Sequence, residues 1–266
     1  MAMTKMNPFS NFVYKLYSFN LGYRHFVSWW KNDILKKNQY HIRLKKGEGS
    51  ENVVMVETPA QVYQIAEYYK NFQVLADHRE YLSIRVHTST IDFLAISTGI
   101  GTPPIAIGME ELSIIGVKRF LYLGSCKPLQ PNVKNGDLLI VKAAVKEDGT
   151  SREYLPIIIP AVGDVYLINA ARKAFKEAEI SFHVGITVTV DIDPYHIPEQ
   201  IPLKSQYDRQ IHEFMAGNVL AAERAAAGVY AVATKVHKPA CCILQACVAE
   251  SEIPIRLIER LPSILS

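Results

Sequence analysis

A short apolar run, Ile91-Asp-Phe-Leu-Ala-Ile96, leads straight into Ser97-Thr-Gly-Ile-Gly-Thr-Pro-Pro and then into an apolar-striped stretch ending at Leu112. No other feature constrains the chain as much. The run at 91–96 suits a buried strand. Gly99 and Gly101 give the turn conformations that side chains disfavour, and they let backbone N–H groups approach an anion closely. Pro103 stands where a helix tolerates proline, in its first turn, and Gly116 is placed to close that helix. Strand, glycine turn and helix in this order predict an α/β fold.

The rest of the chain repeats the alternation. Strands are predicted at 53–56, 81–87, 119–123, 137–141, 183–190 and 240–248, with 81–87 and 91–96 forming a hairpin. Helices are predicted at 59–69, 103–115 and 165–178, with a long Ala-rich one from Asn218 to Thr234. This order implies a three-layer α/β/α sandwich with a central mixed sheet. The 266 residues, 49% hydrophobic and 21% charged, are enough for one such domain. A net charge of +3 gives no reason to expect nucleic acid as a partner. No apolar run reaches the roughly 18 residues a membrane helix needs. Cys126, Cys241, Cys242 and Cys247 lack metal-site spacing and read as buried free thiols, so no metal is expected.

Residues 1–39 form a separate extension ahead of a domain at 40–266. Ten of the chain's 26 aromatic residues lie within residues 1–40, among them Trp29 and Trp30. Lys5, Lys15, Arg24 and Lys31 all precede the first acid, Asp33. A basic, acid-free, aromatic start has the character of a mitochondrial address or of an anchor on a membrane surface or a protein partner. It is equally compatible with an extra helix packed on the domain itself.

The stretch from Ser97 to Leu112 resembles the signature of the purine nucleoside and uridine phosphorylase family, with Pro104 where that signature has Ser. The resemblance runs from about Gln39 to about Pro254. His41, in Gln39-Tyr-His-Ile-Arg-Leu, matches a histidine that reaches the ribose of a neighbouring subunit. Arg79, in Asp77-His-Arg-Glu-Tyr81, matches an arginine that crosses a dimer interface to phosphate. Phe120-Leu-Tyr-Leu-Gly-Ser-Cys is similar to the strand that ends in the family's second phosphate turn, where Ser125 stands for a threonine. Gly101 belongs to the glycine turn. The resemblance implies the family's sandwich, with dimers of like or related chains, and no cofactor.

Several positions depart from that pattern. The family's first phosphate loop, Pro-Gly-Asp-Pro-x-Arg, corresponds here to Val56-Glu-Thr-Pro-Ala-Gln61, so Glu57 replaces a glycine and Gln61 an arginine. Tyr122 replaces the second loop's arginine, and Lys127 a glycine. Of three expected guanidinium groups only that of Arg79 remains. Glu223, in Ala221-Ala-Glu223, matches the family's sugar-holding glutamate, though a shift of one residue removes the match. In the turn after the last strand, Glu250 is a candidate acid to protonate a departing base, although its plainer reading is a surface charge. The segment 192–206, with Asp193, Pro194, His196, Pro198 and Pro202, has no clear counterpart of the family's pyrimidine-reading residues.

These losses lead to the expectation of a catalytically degenerate member. In that reading it is an accessory subunit attached through residues 1–39 to a larger assembly, a mitochondrial respiratory-chain complex or else a cytoplasmic one. The alternative is a protein that still handles nucleosides. It would then be a phosphorylase, a hydrolase that uses water and needs no phosphate arginines, or a sensor that binds without turnover.

Overall fold

The computed structural model describes residues 38–195, 198–247 and 252–266. Among these, ten strands join one mixed sheet. They are β1 (Asn52–Val56), β2 (Phe72–His78), β3 (Tyr81–His87), β4 (Asp92–Ser97), β5 (Arg119–Pro128), β6 (Leu138–Glu147), β7 (Ala161–Val162), β8 (Phe182–Val190), β9 (Ala221–Glu223) and β10 (Ala240–Ala246). The order β10-β6-β8-β9-β5-β1-β4-β3-β2, with β10 also paired to β5, closes five strands into a ring and leaves β1, β4, β3 and β2 as an open wing.

Each face of the sheet is covered by helices. Along β1, successive side chains enter opposite layers, as the pleat requires: Val53 and Met55 one side, Val54 and Val56 the other. The first layer is built by α2 (Thr102–Ile115), α3 (Gly149–Tyr154) and α6 (Ala226–Val236), which supply Ile105, Met109, Leu112, Val229 and Val232. The second is built by α1 (Pro59–Tyr69), α4 (Val165–Glu177), α7 (Ile255–Ile258) and α8 (Leu261–Leu265), with Ile65, Phe175, Leu257 and Ile264. A solvent-facing helix, α5 (Lys204–Ala216), rests on the sheet through Ile211 and Phe214.

Local chemistry sets the helix starts. Thr58 and Gln61 form a reciprocal capping box at α1, with Pro59 at the first helical position. The Asp164 side chain accepts from the N–H groups of Tyr166 and Leu167 at α4. Gly99 and Gly101 hold φ of 77° and 87° ahead of α2, so the glycine turn has the geometry its sequence implied. The predicted helix from Asn218 divides: Ala221–Glu223 is a strand wedged between β5 and β8, and helix begins only at Ala226.

The approach of α6 to α2 depends on Gly228. A Cβ there would lie 2.5 Å from Thr102 Cγ2 and 2.8 Å from its Cβ. We expect Gly228→Ala to lower stability by roughly 1–3 kcal/mol through overpacking, although alanine is the better helix former. A shift of the urea midpoint to lower concentration checks this; an unchanged or higher midpoint contradicts it.

Candidate active site

Parallel strands β4, β1, β5 and β10 end together, and loops and helix starts gather there. Open α/β sheets take ligands at the carboxyl ends of their strands. Here that end carries Glu57 after β1, the glycine turn after β4, and Ser125 to Lys127 in the last part of β5.

Glu57 is the centre of the group. It is only 6% exposed. Tyr122 Oη donates to its Oε1 at 3.3 Å and Ser125 Oγ to its Oε2 at 3.4 Å. Its backbone is fixed from both sides. The Glu57 N–H donates to Gln61 Oε1 at 3.0 Å, and its carbonyl accepts from Gly99 N–H at 2.9 Å. Gln61, where the family pattern has arginine, therefore fixes the loop that presents Glu57. Burial raises the Tyr122 phenol well above its usual range, and the Glu57 and Glu223 charges push it further, so Tyr122 is a lasting hydrogen-bond donor.

Gly124 makes room for this arrangement. A Cβ at 124 would lie 2.6 Å from Tyr122 Cε1 and 3.1 Å from its hydroxyl oxygen. The Tyr122 ring folds back over its own strand to reach Glu57 only because that space is empty. Gly124→Val is expected to displace the ring, and the fluorescence-detected titration of the tyrosines and the activity proposed below should both change. A variant with wild-type behaviour in both would show that the ring's seat does not matter.

Glu223 is more deeply buried, at 2% exposure. Its Oε1 accepts from Thr187 Oγ1 at 3.2 Å and from Thr189 Oγ1 by a short bond. Its Oε2 accepts from the N–H groups of Ala225 at 2.5 Å and Ala226 at 2.8 Å. A carboxylate has about four lone-pair sites, and all are taken by the chain's own donors. Thr189 Oγ1 also accepts from Ala227 N–H at 2.8 Å. Together the two side chains cap α6, whose own N-cap residue, Ala225, has no side-chain acceptor. Burial pushes the Glu223 carboxyl up to about 7 against these donors.

His41 and Arg79 belong to other elements, His41 to the segment ahead of β1 and Arg79 to the β2–β3 hairpin, whose next residue, Glu80, lies against Gly99 of the glycine turn. His41 Nδ1 pairs with Glu111 Oε1 at 2.8 Å, and Glu111 Oε2 accepts from the N–H groups of His41 and Ile42. Arg79 occupies the exposed tip of the β2–β3 hairpin at φ 57°, its guanidinium 5.8 Å from the Tyr40 ring centroid. Glu250 and His196 lie outside the described residues, as does nearly all of the 1–39 extension. The four cysteines are free and buried. Among the described residues, no group of three or more metal-ligating side chains gathers, and no helix is long and apolar enough to cross a membrane.

Sequence reasoning missed Tyr195. Its hydroxyl lies 3.3 Å from Cys247 Sγ, and Cys247 N–H donates to Cys126 O, which places the Tyr195 side chain by the end of β5.

Comparison with known proteins fits this geometry. The sequence profile of the phosphorylase superfamily matches residues 51–247. The chain is 38% identical over 156 residues to a uridine phosphorylase of Thermococcus kodakarensis, covering 58% of this chain but only 55% of that protein's length. It is 30% identical over 193 residues to a uridine phosphorylase of Treponema pallidum, covering 72% and 75% of the two chains. It is 32% identical over 197 residues to a guanosine phosphorylase of Halorubrum lacusprofundi, covering 74% and 78%.

Proposed function

Because this chain belongs to the phosphorylase superfamily, we propose that it binds a nucleoside and cleaves the N-glycosidic bond, with water rather than phosphate as the acceptor. The observation that carries the reading is the buried Glu57 carboxylate, held by Tyr122 and Ser125 where the family pattern calls for an anion site. The names of the relatives supply the substrate class.

Electrostatics favours water as acceptor. Two unit charges about 4 Å apart repel by roughly 4 kcal/mol at an effective dielectric near 20. A phosphate dianion seated beside Glu57 meets that repulsion more than once over. Tyr122 and Gln61 offer no fork of charged donors to offset it. Water carries no such penalty, and a fixed carboxylate is the group that makes water nucleophilic.

In the proposed step a water oxygen forms a bond to the anomeric carbon while the carbon–nitrogen bond breaks. The bonding pair leaves with the base, and Glu57 takes the proton from water. The Tyr122 and Ser125 hydroxyls hold the carboxylate oxygens in place, so little reorganisation accompanies the transfer.

Family membership supports this reading over that of a degenerate accessory subunit, which rests on the missing arginines and on the character of residues 1–39. The test is base release from uridine, inosine, guanosine and adenosine in phosphate-free buffer. The proposal expects turnover of at least one of them, unchanged on adding phosphate. No release from any member of the panel refutes it.

A further inference from the structure

A cleft of about 520 Å³ opens where α6 ends, α4 begins and β10 starts at Ala240. Because β10 runs parallel to β5, β1 and β4, its start lies at the end of the sheet opposite the candidate active site. The chain between β7 and α4 is pinned there. Gly163 N–H donates to Lys142 O at 3.0 Å and Asp164 N–H to Ala240 O at 2.8 Å, so the walls are preformed. Val162, Val165 and Pro239 supply apolar surface, and Asp164, His237 and Lys238 supply polar and charged groups. Small-molecule sites combine the same two kinds of wall in volumes of roughly 300–1,000 Å³.

The polar groups of this cleft are uncommitted. Asp164 Oδ1 accepts from the N–H groups of Tyr166 and Leu167, each at 3.0 Å, which leaves its Oδ2 free among the described residues. Lys238 is half-buried, and among the described residues its ammonium has neither a hydrogen bond nor an ion pair. Two opposite charges thus line one cleft without pairing with each other. His237 ends α6 at φ 55°, where glycine is usual, and adds a ring nitrogen able to donate or accept.

We infer that this cleft is a second binding site, for a zwitterion with an apolar body, of the class of the aliphatic and aromatic α-amino acids. A simple anion is drawn to Lys238 and repelled by Asp164, and a simple cation the reverse. A ligand with both charges satisfies both groups, its carboxylate on Lys238 and its ammonium on Asp164 Oδ2, each through a charge-assisted bond. Its side chain then covers Val162, Val165 and Pro239 and removes their apolar surface from water. The inference depends neither on the proposed cleavage nor on Glu57.

The test is ligand-observed NMR titration of L-leucine and L-phenylalanine with the full chain. Beside each runs its N-acetyl form, which lacks the ammonium, and its amide, which lacks the carboxylate. We expect at least one of the two amino acids to bind with a Kd of roughly 1 mM or tighter, and each of its blocked forms to bind at least about tenfold more weakly. Lys238→Met should remove the advantage over the amide. Asp164→Asn, which keeps a side-chain cap on α4, should remove the advantage over the N-acetyl form. Both variants should melt at the wild-type temperature. No binding of either amino acid at about 10 mM, blocked forms that bind as well as their parents, or preferences that survive both variants would each overturn the inference.

Discussion

Glu57→Gln is expected to lower base release by about 10²–10⁴-fold, the usual contribution of a positioned general base. Glutamine keeps the shape: its one carbonyl oxygen still accepts from one of the two hydroxyls, Tyr122 or Ser125, and its NH2 can donate to the other once that hydroxyl turns. What it loses is the capacity to take a proton from water. The fall should appear in kcat with KM little changed, because Glu57 is asked to act on the attacking water rather than to bind the nucleoside. Steady-state rates on the best substrate of the panel, with the melting temperature as a control for folding, measure this. A variant within a few-fold of wild type would remove Glu57 from the chemistry.

The second large effect is on stability. Glu223→Ala removes the acceptor for two backbone N–H groups at the start of α6 and for two threonine hydroxyls, all in the interior. Orphaned buried donors cost roughly 1–3 kcal/mol each. The hydroxyls can turn elsewhere but the N–H groups cannot, which puts the loss at about 3–5 kcal/mol, a large part of a typical domain's stability. The pH dependence is also fixed in sign. The folded carboxyl is raised to about 7 from an ordinary 4.5, so the folded state binds the proton more tightly than the unfolded one. Its contribution is therefore full below about pH 4.5 and is lost as pH rises through about 7, a change on the order of 3 kcal/mol. The Glu223→Ala penalty should accordingly be larger at pH 5 than at pH 8. Glu223→Gln, which does not titrate, should flatten the profile relative to wild type. Urea unfolding of the three proteins at both pH values checks this; parallel profiles for wild type and Glu223→Gln would contradict it.

Much of this architecture is legible in the residues. The strand, glycine turn and helix over 91–115 follow from apolar patterning and from glycines at the two positions where φ is positive. The fully buried β1 reads as an unbroken apolar run because both its faces are covered. Other parts leave little trace. Strand β9 is three residues inside an Ala-rich stretch with good helix propensity, and it is extended because β5 and β8 pair with it on either side. Strand β2 is mostly exposed and carries no alternation. At the site, the loss of arginines is plain in the sequence, but what replaces them is not. Tyr122 reads as an apolar substitution until its hydroxyl is seen to reach Glu57 across the space left by Gly124. Glu223 reads as a sugar ligand because the motif says nothing of Thr187 and Thr189, more than thirty residues away, which take up its oxygens.

The central claim is that water, not phosphate, attacks the anomeric carbon. The most direct measurement is the mass of the sugar product formed in ¹⁸O-labelled water with millimolar phosphate present. The account predicts free ribose carrying one ¹⁸O, formed at a rate independent of phosphate. Ribose 1-phosphate, in an amount that rises with phosphate, would contradict it.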